Sequence, residues 1–416
     1  MTVQAQDMTE PTLIHANETS PSYRGWRVVV ACFFLAVFSW GFGFYGHSVY
    51  LAELQRLHGW PASAIATATT VYYLLGAVLV IFVSDAVQRL GPRVCVLTGI
   101  AAMAVAVLGV AYASELWQLF AAYLIMALGW AFMTVAAISN ILGLWFSARR
   151  GLAISLALNG ASTGGIVVAP ALLWLSGTVG FGNGLRLGVA AMVVILVPMA
   201  LAWIDRPPDV RRHPGPTGAK PATAESANWT RAQALRSLAF WTVAGPFALA
   251  LLAQVGFIVH MIAYLAPVIG RGQAGVAVAV TTVMAVIGRV GLGTVIDRLD
   301  QRRVTAVSLL SQAGALFAMT QSTEPTVLLA ACAVFGFSVG NLITLPSLII
   351  QREFDAASFG MLSALVTAIC QFSYALGPGL VGVVYDLSGG YTVGLALCMA
   401  LEIIAAGIVL IRRKAV

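Results

Sequence analysis

The 416-residue chain is 60% hydrophobic and 9% charged, and its mean hydropathy is +0.90. Soluble domains carry about 25% charged residues, so this composition excludes a water-soluble globular protein. It also excludes a disordered chain, because disorder needs low hydrophobicity. The net charge of +7 fits basic loops on one side of a membrane better than nucleic-acid binding. The five cysteines show no CxxC spacing, so we predict no metal site, no disulfide framework and no cofactor.

Continuous apolar runs, bounded by charged or turn-forming residues, predict an all-α integral membrane protein with twelve transmembrane helices. A bilayer core of about 30 Å needs about 20 helical residues. The runs lack the alternation of apolar and polar residues that is expected of the strands of an outer-membrane barrel. The predicted spans are residues 26–50, 62–84, 94–113, 116–144, 151–176, 184–204, 238–267, 274–296, 304–320, 325–350, 357–385 and 391–411.

The basic residues predict the orientation of these spans. With both termini in the cytoplasm, nineteen of the 23 Lys and Arg residues face the cytoplasm, and only Arg56, Arg186 and Arg271 face out. By the positive-inside rule we expect a multi-pass protein of the cytoplasmic membrane. A polar, proline-rich stretch at 205–237 is the predicted cytoplasmic central loop, and it separates two six-helix bundles at 25–204 and 238–411. The predicted cytoplasmic tails lie at 1–24 and 412–416.

A charged loop occurs at corresponding places in the two halves. An acid that ends one helix can pair with arginines that begin the next, or with a neighbouring helix. Two copies therefore predict a conformational latch between the helix bundles on the cytoplasmic side. The copies comprise Asp85, Arg89 and Arg93 after span two, and Asp297, Arg298 and Arg302 after span eight, with 212 residues between the aspartates.

This doubled loop resembles the loop after the second span in the major facilitator superfamily, which reads G-x-x-x-D-R-x-G-R-R. The second copy keeps Gly293, Asp297 and Arg298, whereas the first has Ile81 in place of the glycine and its arginine displaced to Arg89. Other matches resemble the monocarboxylate-transporter-like and oxalate/formate-antiporter-like branches. They are Gly25-Trp26, Val49-Tyr50-Leu51, Gly59-Trp60-Pro61, Trp145-Phe146, Arg149-Arg150-Gly151-Leu152-Ala153, Gly377-Pro378-Gly379, Tyr385-Asp386 and Gly389.

The resemblance implies two six-helix bundles, related by pseudo-two-fold symmetry, that rock around a central cavity to expose a site to either side. A midplane site with alternating access is the general logic of such repeats. The resemblance also implies a carrier that works as a monomer in the lipid bilayer. Small residues let membrane helices approach closely, and we expect this of Gly160, Gly164, Gly165, Gly377, Gly379 and Gly382 in spans five and eleven.

Arg289 is the central candidate for substrate binding, because it lies inside span eight, about 12 Å of helix before Asp297. A guanidinium is planar and always charged, so it binds a carboxylate through two parallel hydrogen bonds. The alternative is an ion pair with Glu402 of span twelve, for which a purely structural role is also open. In both branches an arginine on helix eight holds the substrate carboxylate, which implies the same role for Arg289.

Departures from the family patterns narrow the expected substrate. Mammalian-type monocarboxylate carriers have an acid one turn before this arginine, where this chain has Ala285, and a lysine on helix one, which falls near Tyr45. The oxalate exchanger has a second cation on helix eleven, where this chain has Val366. A dicarboxylate would leave one charge uncompensated, so we expect a small monocarboxylate.

Two groups of polar residues within the spans are further candidates. His47 and His260 stand 213 residues apart in similar local sequences, and either serve proton coupling or gating or are structural hydrogen-bonding groups. The second group lies on spans that correspond to cavity-lining helices in the family, and its members either contact substrate or hold helices together. It consists of Tyr45, Tyr73, Asn159, Asn341 and Gln371.

We therefore predict a secondary active transporter of a small organic anion, with the proton as the coupled ion. An anion exchanger, a uniporter and a drug exporter of the same fold are alternatives, although Arg289 disfavours cationic drugs. A membrane enzyme would need clustered nucleophile and base residues, and neither such a cluster nor a phosphate-binding P-loop occurs in the sequence. We also expect no signalling extension of the kind that a transporter-like sensor needs.

Overall fold

The computed structural model describes residues 18–20, 22–146, 149–205, 229–293, 296–342, 345–355 and 358–411. These residues are helical apart from short connections, which confirms the predicted all-α membrane fold. Within this described part there are twelve long helical segments, here called spans one to twelve. They run over Gly25–His58, Ala62–Val80, Pro92–Tyr112, Leu116–Trp145, Arg150–Thr178, Phe181–Trp203, Leu238–Ile269, Arg271–Gly293, Gln301–Gln321, Pro325–Leu342, Phe359–Ser388 and Tyr391–Val409. Shorter helices cover Val83–Leu90, Arg231–Arg236 and Leu345–Glu353.

Span nine is the least apolar of the twelve. Among the described residues, eleven helices are long and apolar enough to cross a bilayer, and Gln301–Gln321 is not one of them. Its first turn holds Arg302 and Arg303, and Gln312 is buried within it. With 21 residues it still has the length that a bilayer core requires.

The two ends of the molecule differ in charge, and we name them by that difference. The basic face is where span one begins and span twelve ends, and it includes Arg24, Arg93 and Arg302. The opposite face, where span one ends at His58, includes Arg271 and the end of span eleven. Span one reaches eight residues beyond its predicted end at residue 50, because the polar residues that follow continue the helix. The helix ends at His58, and Gly59 caps it with a φ of 65°.

The two halves of the molecule meet at the opposite face through spans two and eleven. The Asp386 carboxylate accepts hydrogen bonds from the backbone N–H groups of Ala62 at 3.2 Å and Ser63 at 2.9 Å, which begin span two. A helix N-terminus has unpaired N–H groups and a positive dipole end, so it binds a carboxylate well. The contact continues to Tyr73 and Tyr374, whose ring centroids are 5.4 Å apart. From Ala62 to Tyr73, this contact closes the interface between the halves over roughly 17 Å of helix length.

Glycines let several helix pairs pack backbone against backbone, as predicted for spans five and eleven. A Cβ on Gly160 or Gly164 would meet the backbone of span one, and a Cβ on Gly377 would meet the backbone of span seven. An equivalent seam that was not predicted from the sequence lies between spans eight and ten. There, a Cβ on Gly288, Gly336 or Gly340 would collide with the facing backbone.

Replacing Gly340 with alanine should destabilise the second half. The added Cβ would meet the Ala285 carbonyl and Cα, which are backbone atoms that cannot rotate away. Overpacking of this kind costs roughly 1–3 kcal/mol. Thermal unfolding of the purified protein checks this, with Gly314→Ala as the control, because a Cβ on Gly314 of span nine meets no atom within 4 Å. Equal stability of the two variants would show that spans eight and ten are not held at this distance.

Spans one and five are each interrupted by a π-helical stretch, Gly41–Tyr45 and Gly164–Val168. The two stretches touch, since a Cβ on Gly41 would meet the Val168 side chain and a Cβ on Gly164 would meet the Gly41 nitrogen. The Tyr72 hydroxyl donates to the Gly43 carbonyl at 2.7 Å, which satisfies one displaced backbone acceptor. Such π-bulges occur often at functional sites.

Candidate substrate site

The Arg289 side chain lies in the last two turns of span eight, on the side that faces span ten. The close glycine seam brings the two helices together, and Arg289 Nε donates to the Gly340 carbonyl at 3.3 Å. The guanidinium is half-buried. Its terminal nitrogens Nη1 and Nη2 make no hydrogen bond to a described residue, so the planar end of the fork stays available to an acceptor.

Arg289 has no carboxylate partner within the described ranges. Glu402, the alternative partner considered from the sequence, is 0% exposed on span twelve. Neither carboxyl oxygen of Glu402 has a hydrogen-bond partner among those residues. An unpaired ionised carboxylate in an apolar interior is very unfavourable, so we expect Glu402 to be neutral. The predicted alternative of an Arg289–Glu402 ion pair is therefore wrong.

Tyr45 is the candidate of the first half that lies within electrostatic range of Arg289. It ends the π-helical stretch of span one, and its ring lies near the Thr282 hydroxyl oxygen of span eight. Gly165 of span five makes room for this contact, because a Cβ there would collide with the Tyr45 ring and the Thr282 hydroxyl oxygen. The site thus joins spans one, five and eight, and it includes Thr282, which the sequence analysis did not select.

Tyr73 and Gln371 belong to a second polar group next to this site. The Tyr73 ring packs 6.2 Å from the Phe44 ring, and Phe44 in turn lies 5.0 Å from the Tyr45 ring. Across the interface, the Tyr73 ring contacts the Tyr374 ring, and Gln371 lies one turn before Tyr374 on span eleven. The Tyr73 hydroxyl is buried without a hydrogen-bond partner in the described part of the chain. An aromatic path therefore links Tyr45 to the seal between spans two and eleven.

Asn341 and Asn159 lie in different surroundings. Asn341 is buried on span ten directly after Gly340, the residue whose carbonyl accepts from Arg289. Asn159 is exposed on span five, and its carbonyl accepts from the Thr163 hydroxyl at 3.1 Å. The structure therefore places Asn341 beside the site, whereas the described contact of Asn159 is local to its own helix.

The two histidines are buried, and the contacts of each lie in its own half. A hydrogen bond of 3.2 Å joins His47 Nδ1 to the Tyr123 hydroxyl, and the ring packs against Tyr72 and Tyr73. His260 Nδ1 pairs with the Tyr391 hydroxyl at 3.1 Å, and Nε2 donates to the Pro378 carbonyl at 3.0 Å. Each histidine thus contacts a tyrosine hydroxyl through Nδ1, but Tyr123 lies on span four and Tyr391 on span twelve, which are not equivalent spans of the two halves.

The charged loops on the basic face are built differently from the pairing expected of them. Arg93 donates to Asp205 at 2.9 Å and to the Ile204 carbonyl at 3.0 Å, because the end of span six lies beside the start of span three. Asp85 and Arg89 are exposed, and Asp85 forms no ion pair with a described residue. In this conformation Asp85 therefore does not pair with the arginines of its own loop, and the latch stays a prediction.

In the second copy, Arg302 is buried and binds both oxygens of Glu353, at 2.6 and 2.7 Å. It also donates to the Val409 carbonyl at 2.8 Å and to Thr242, so it ties spans seven, nine and twelve together. Arg298 is exposed. The Asp297 side chain lies outside what the structure describes.

Comparison with known proteins identifies the family. A family model described as the Major Facilitator Superfamily matches residues 33–378. The chain belongs to the major facilitator superfamily. It is therefore a multi-pass membrane transporter and not an enzyme, as predicted.

Curated relatives of the transporter are distant but nearly collinear with it. Monocarboxylate transporter 13 of Rattus norvegicus is 27% identical over 423 residues, covering 96% of this chain and 91% of the relative. The MFS-type transporter pynF of Aspergillus niger is 26% identical over 370 residues, covering 87% and 81%. A solved structure of a bacterial homolog of the human lysosomal transporter Spinster superposes with a TM-score of 0.68 at 16% identity, covering 94% of this chain and 95% of the other. That structural likeness shows the shared fold.

Proposed function

We propose that the transporter moves a small monocarboxylate across the cytoplasmic membrane by alternating access. The observation that carries this proposal is the half-buried Arg289, which is held at Nε by the Gly340 carbonyl and whose terminal nitrogens have no described protein partner. A buried cation without a protein counter-ion is costly in a membrane unless a ligand or water satisfies it. A carboxylate would supply both the charge and a planar pair of acceptors.

A single cation in the site favours one carboxylate over two. Val366, where the oxalate exchanger has its second cation, is buried and apolar. A second carboxylate would therefore lack a partner and pay the cost of desolvation. The names of the curated relatives from rat and cattle, each a monocarboxylate transporter 13, agree with this substrate class.

We place the basic face in the cytoplasm, because the positive-inside rule assigns most Lys and Arg residues to that side. The contact between spans two and eleven then lies on the outer side of Arg289, and we propose that this state is closed to the outside. The exposed Asp85, Arg89 and Arg298 remain our candidates for a latch that forms when the basic face closes. Rocking of the two six-helix halves would open the opposite face while it closes the basic face.

The substrate class is tested by uptake of labelled monocarboxylates into proteoliposomes, with and without an imposed pH gradient. We expect saturable uptake of at least one short monocarboxylate, and stimulation when the outside is acidic. Uptake that does not respond to the gradient would leave an anion exchanger or a uniporter. Transport of lipophilic cations with no carboxylate uptake would contradict the proposal.

The proposed coupling groups are His47 and His260, because arginine does not release its proton at cellular pH. His47 Nε2 is buried with no hydrogen-bond partner among the described residues, so no described protein group holds that nitrogen. We expect His47→Gln combined with His260→Gln to flatten the rise of uptake with falling external pH, while counterflow exchange survives. His58→Gln is the matched control, since that ring stacks on Trp60 at the opposite face, 4.6 Å away. A wild-type pH profile in the double variant would assign coupling to another group.

A further inference from the structure

A cavity of about 540 Å³ with charged side chains in its wall lies between the two halves at the opposite face. The first half contributes Glu53, Arg56 and Trp60 to its lining, and the second half contributes Arg271 and Tyr385. No residue of the Arg289 site lines it, so the two are separate. In the sequence, Arg56 and Arg271 stand out only as two of the few cations predicted to face outward.

One buried carboxylate is shared between two arginines in this cavity. The Glu53 side chain is 2% exposed. Its Oε2 accepts from Arg56 Nη2 at 2.9 Å and Nε at 3.3 Å, and its Oε1 accepts from Arg271 Nη2. Two cations against one anion leave the group with a net positive charge. Arg271 Nε is buried and makes no hydrogen bond to a described residue.

The two arginines differ in how they would move when the halves separate. Arg56 lies three residues after Glu53 on span one, so this pair stays together as span one moves. Arg271 begins span eight in the other half, so its bond to Glu53 breaks when the opposite face opens. Opening therefore costs the Arg271 guanidinium its only described counter-ion, unless a free carboxylate replaces Glu53.

We infer that this cavity is a second anion site, at which a small carboxylate from the opposite side replaces Glu53 on Arg271 and so favours opening. In the closed state Glu53 occupies the position of the ligand carboxylate. The inference deepens the proposed function and rests on its substrate class, but it uses residues other than Arg289. A ligand that binds one state better shifts the population towards that state.

The test measures opening in a variant that lacks the central cation. The five native cysteines are buried, so Ala263→Cys in the cavity wall can be labelled with a membrane-impermeant maleimide from the opposite side. In the Arg289→Ala background, propionate should accelerate this labelling severalfold over chloride at equal ionic strength. Arg271→Gln should label fast with and without propionate. Glu53→Gln breaks the same pair, so it should also label faster than the parent without propionate, and it should lower the half-maximal propionate concentration about tenfold, since it removes the competing charge.

Two further variants make the outcome decisive. Arg271→Lys keeps the charge without the fork, so it should respond to propionate at higher concentrations. Arg186→Gln, at the same face, removes a cation that contacts Tyr112 and should respond as the parent does. A propionate response that persists in Arg271→Gln, or no response in the parent, would overturn the second site. Failure of the Arg289 proposal would appear separately, as carboxylate uptake that survives Arg289→Ala alone.

Discussion

Replacing Arg289 with alanine is expected to abolish carboxylate uptake while the protein remains folded and inserted. A hydrogen bond to a charged group contributes roughly 1.5–3 kcal/mol, so losing a two-bond contact should weaken binding at least about a hundredfold. Folding should survive, because the Arg289 side chain makes one described hydrogen bond, to the Gly340 carbonyl. Initial uptake rates in proteoliposomes, with monodispersity in gel filtration, measure both effects.

Arg289→Lys separates charge from geometry. Lysine keeps the positive charge but is a compact point charge without the planar fork, so we expect uptake to remain strongly reduced. Arg186→Ala is the control for the general loss of an arginine, because Arg186 lies at the opposite face. Near-normal uptake by Arg289→Ala would remove this residue from the substrate site.

Replacing Arg302 with alanine should cause the largest loss of stability among the arginine variants. Arg302 is 2% exposed and uses Nε, Nη1 and Nη2 on Glu353, Thr242 and the Val409 and Ile411 carbonyls. Removing one partner of a fully buried ion pair costs roughly 3–5 kcal/mol, and we expect Arg302→Ala to cost less than this because the remaining Glu353 carboxylate is 29% exposed. Thermal unfolding in detergent should show this as a clear fall in midpoint temperature.

The adjacent arginine provides the matched comparison. Arg303 is 82% exposed and lies 4.0 Å from Asp300, so Arg303→Ala should cost less than about 1 kcal/mol. Arg302→Lys should fall between wild type and Arg302→Ala, because it retains charge but loses most of the donors. If Arg302→Ala unfolds at the wild-type temperature, Arg302 would be a mobile latch residue and not a fixed link within the second half.

The number and order of the spans were predictable because hydrophobic length is a local property of the sequence. The limits of span one were not, since Glu53 and Arg56 lower its hydropathy while remaining helical. Glu53 could not be predicted as a buried residue from one sequence. Its counter-ion Arg271 is 218 residues away, and nothing local to either residue reveals the pair.

The candidate site was partly predictable, because a charge within an apolar run is also a local property of the sequence. Arg289 stands out as a charge inside an apolar run, and Tyr45 was selected from the resemblance. Thr282 gave no comparable signal, because a threonine in a membrane helix usually bonds its own backbone, as Thr282 also does to the Val278 carbonyl at 2.8 Å. The π-helical stretches arise from the packing of spans one and five, although their glycines marked the region as one of close approach.

The central claim is that Arg289 recognises one carboxylate through charge and planar geometry together. It is tested most directly by counterflow with the labelled monocarboxylate that the uptake panel identifies, in competition with three unlabelled compounds. These are the same acid, its uncharged amide, and the dicarboxylate of equal carbon number. We predict that only the monocarboxylate competes in the wild type. Equal competition by the amide, or stronger competition by the dicarboxylate, would contradict the account.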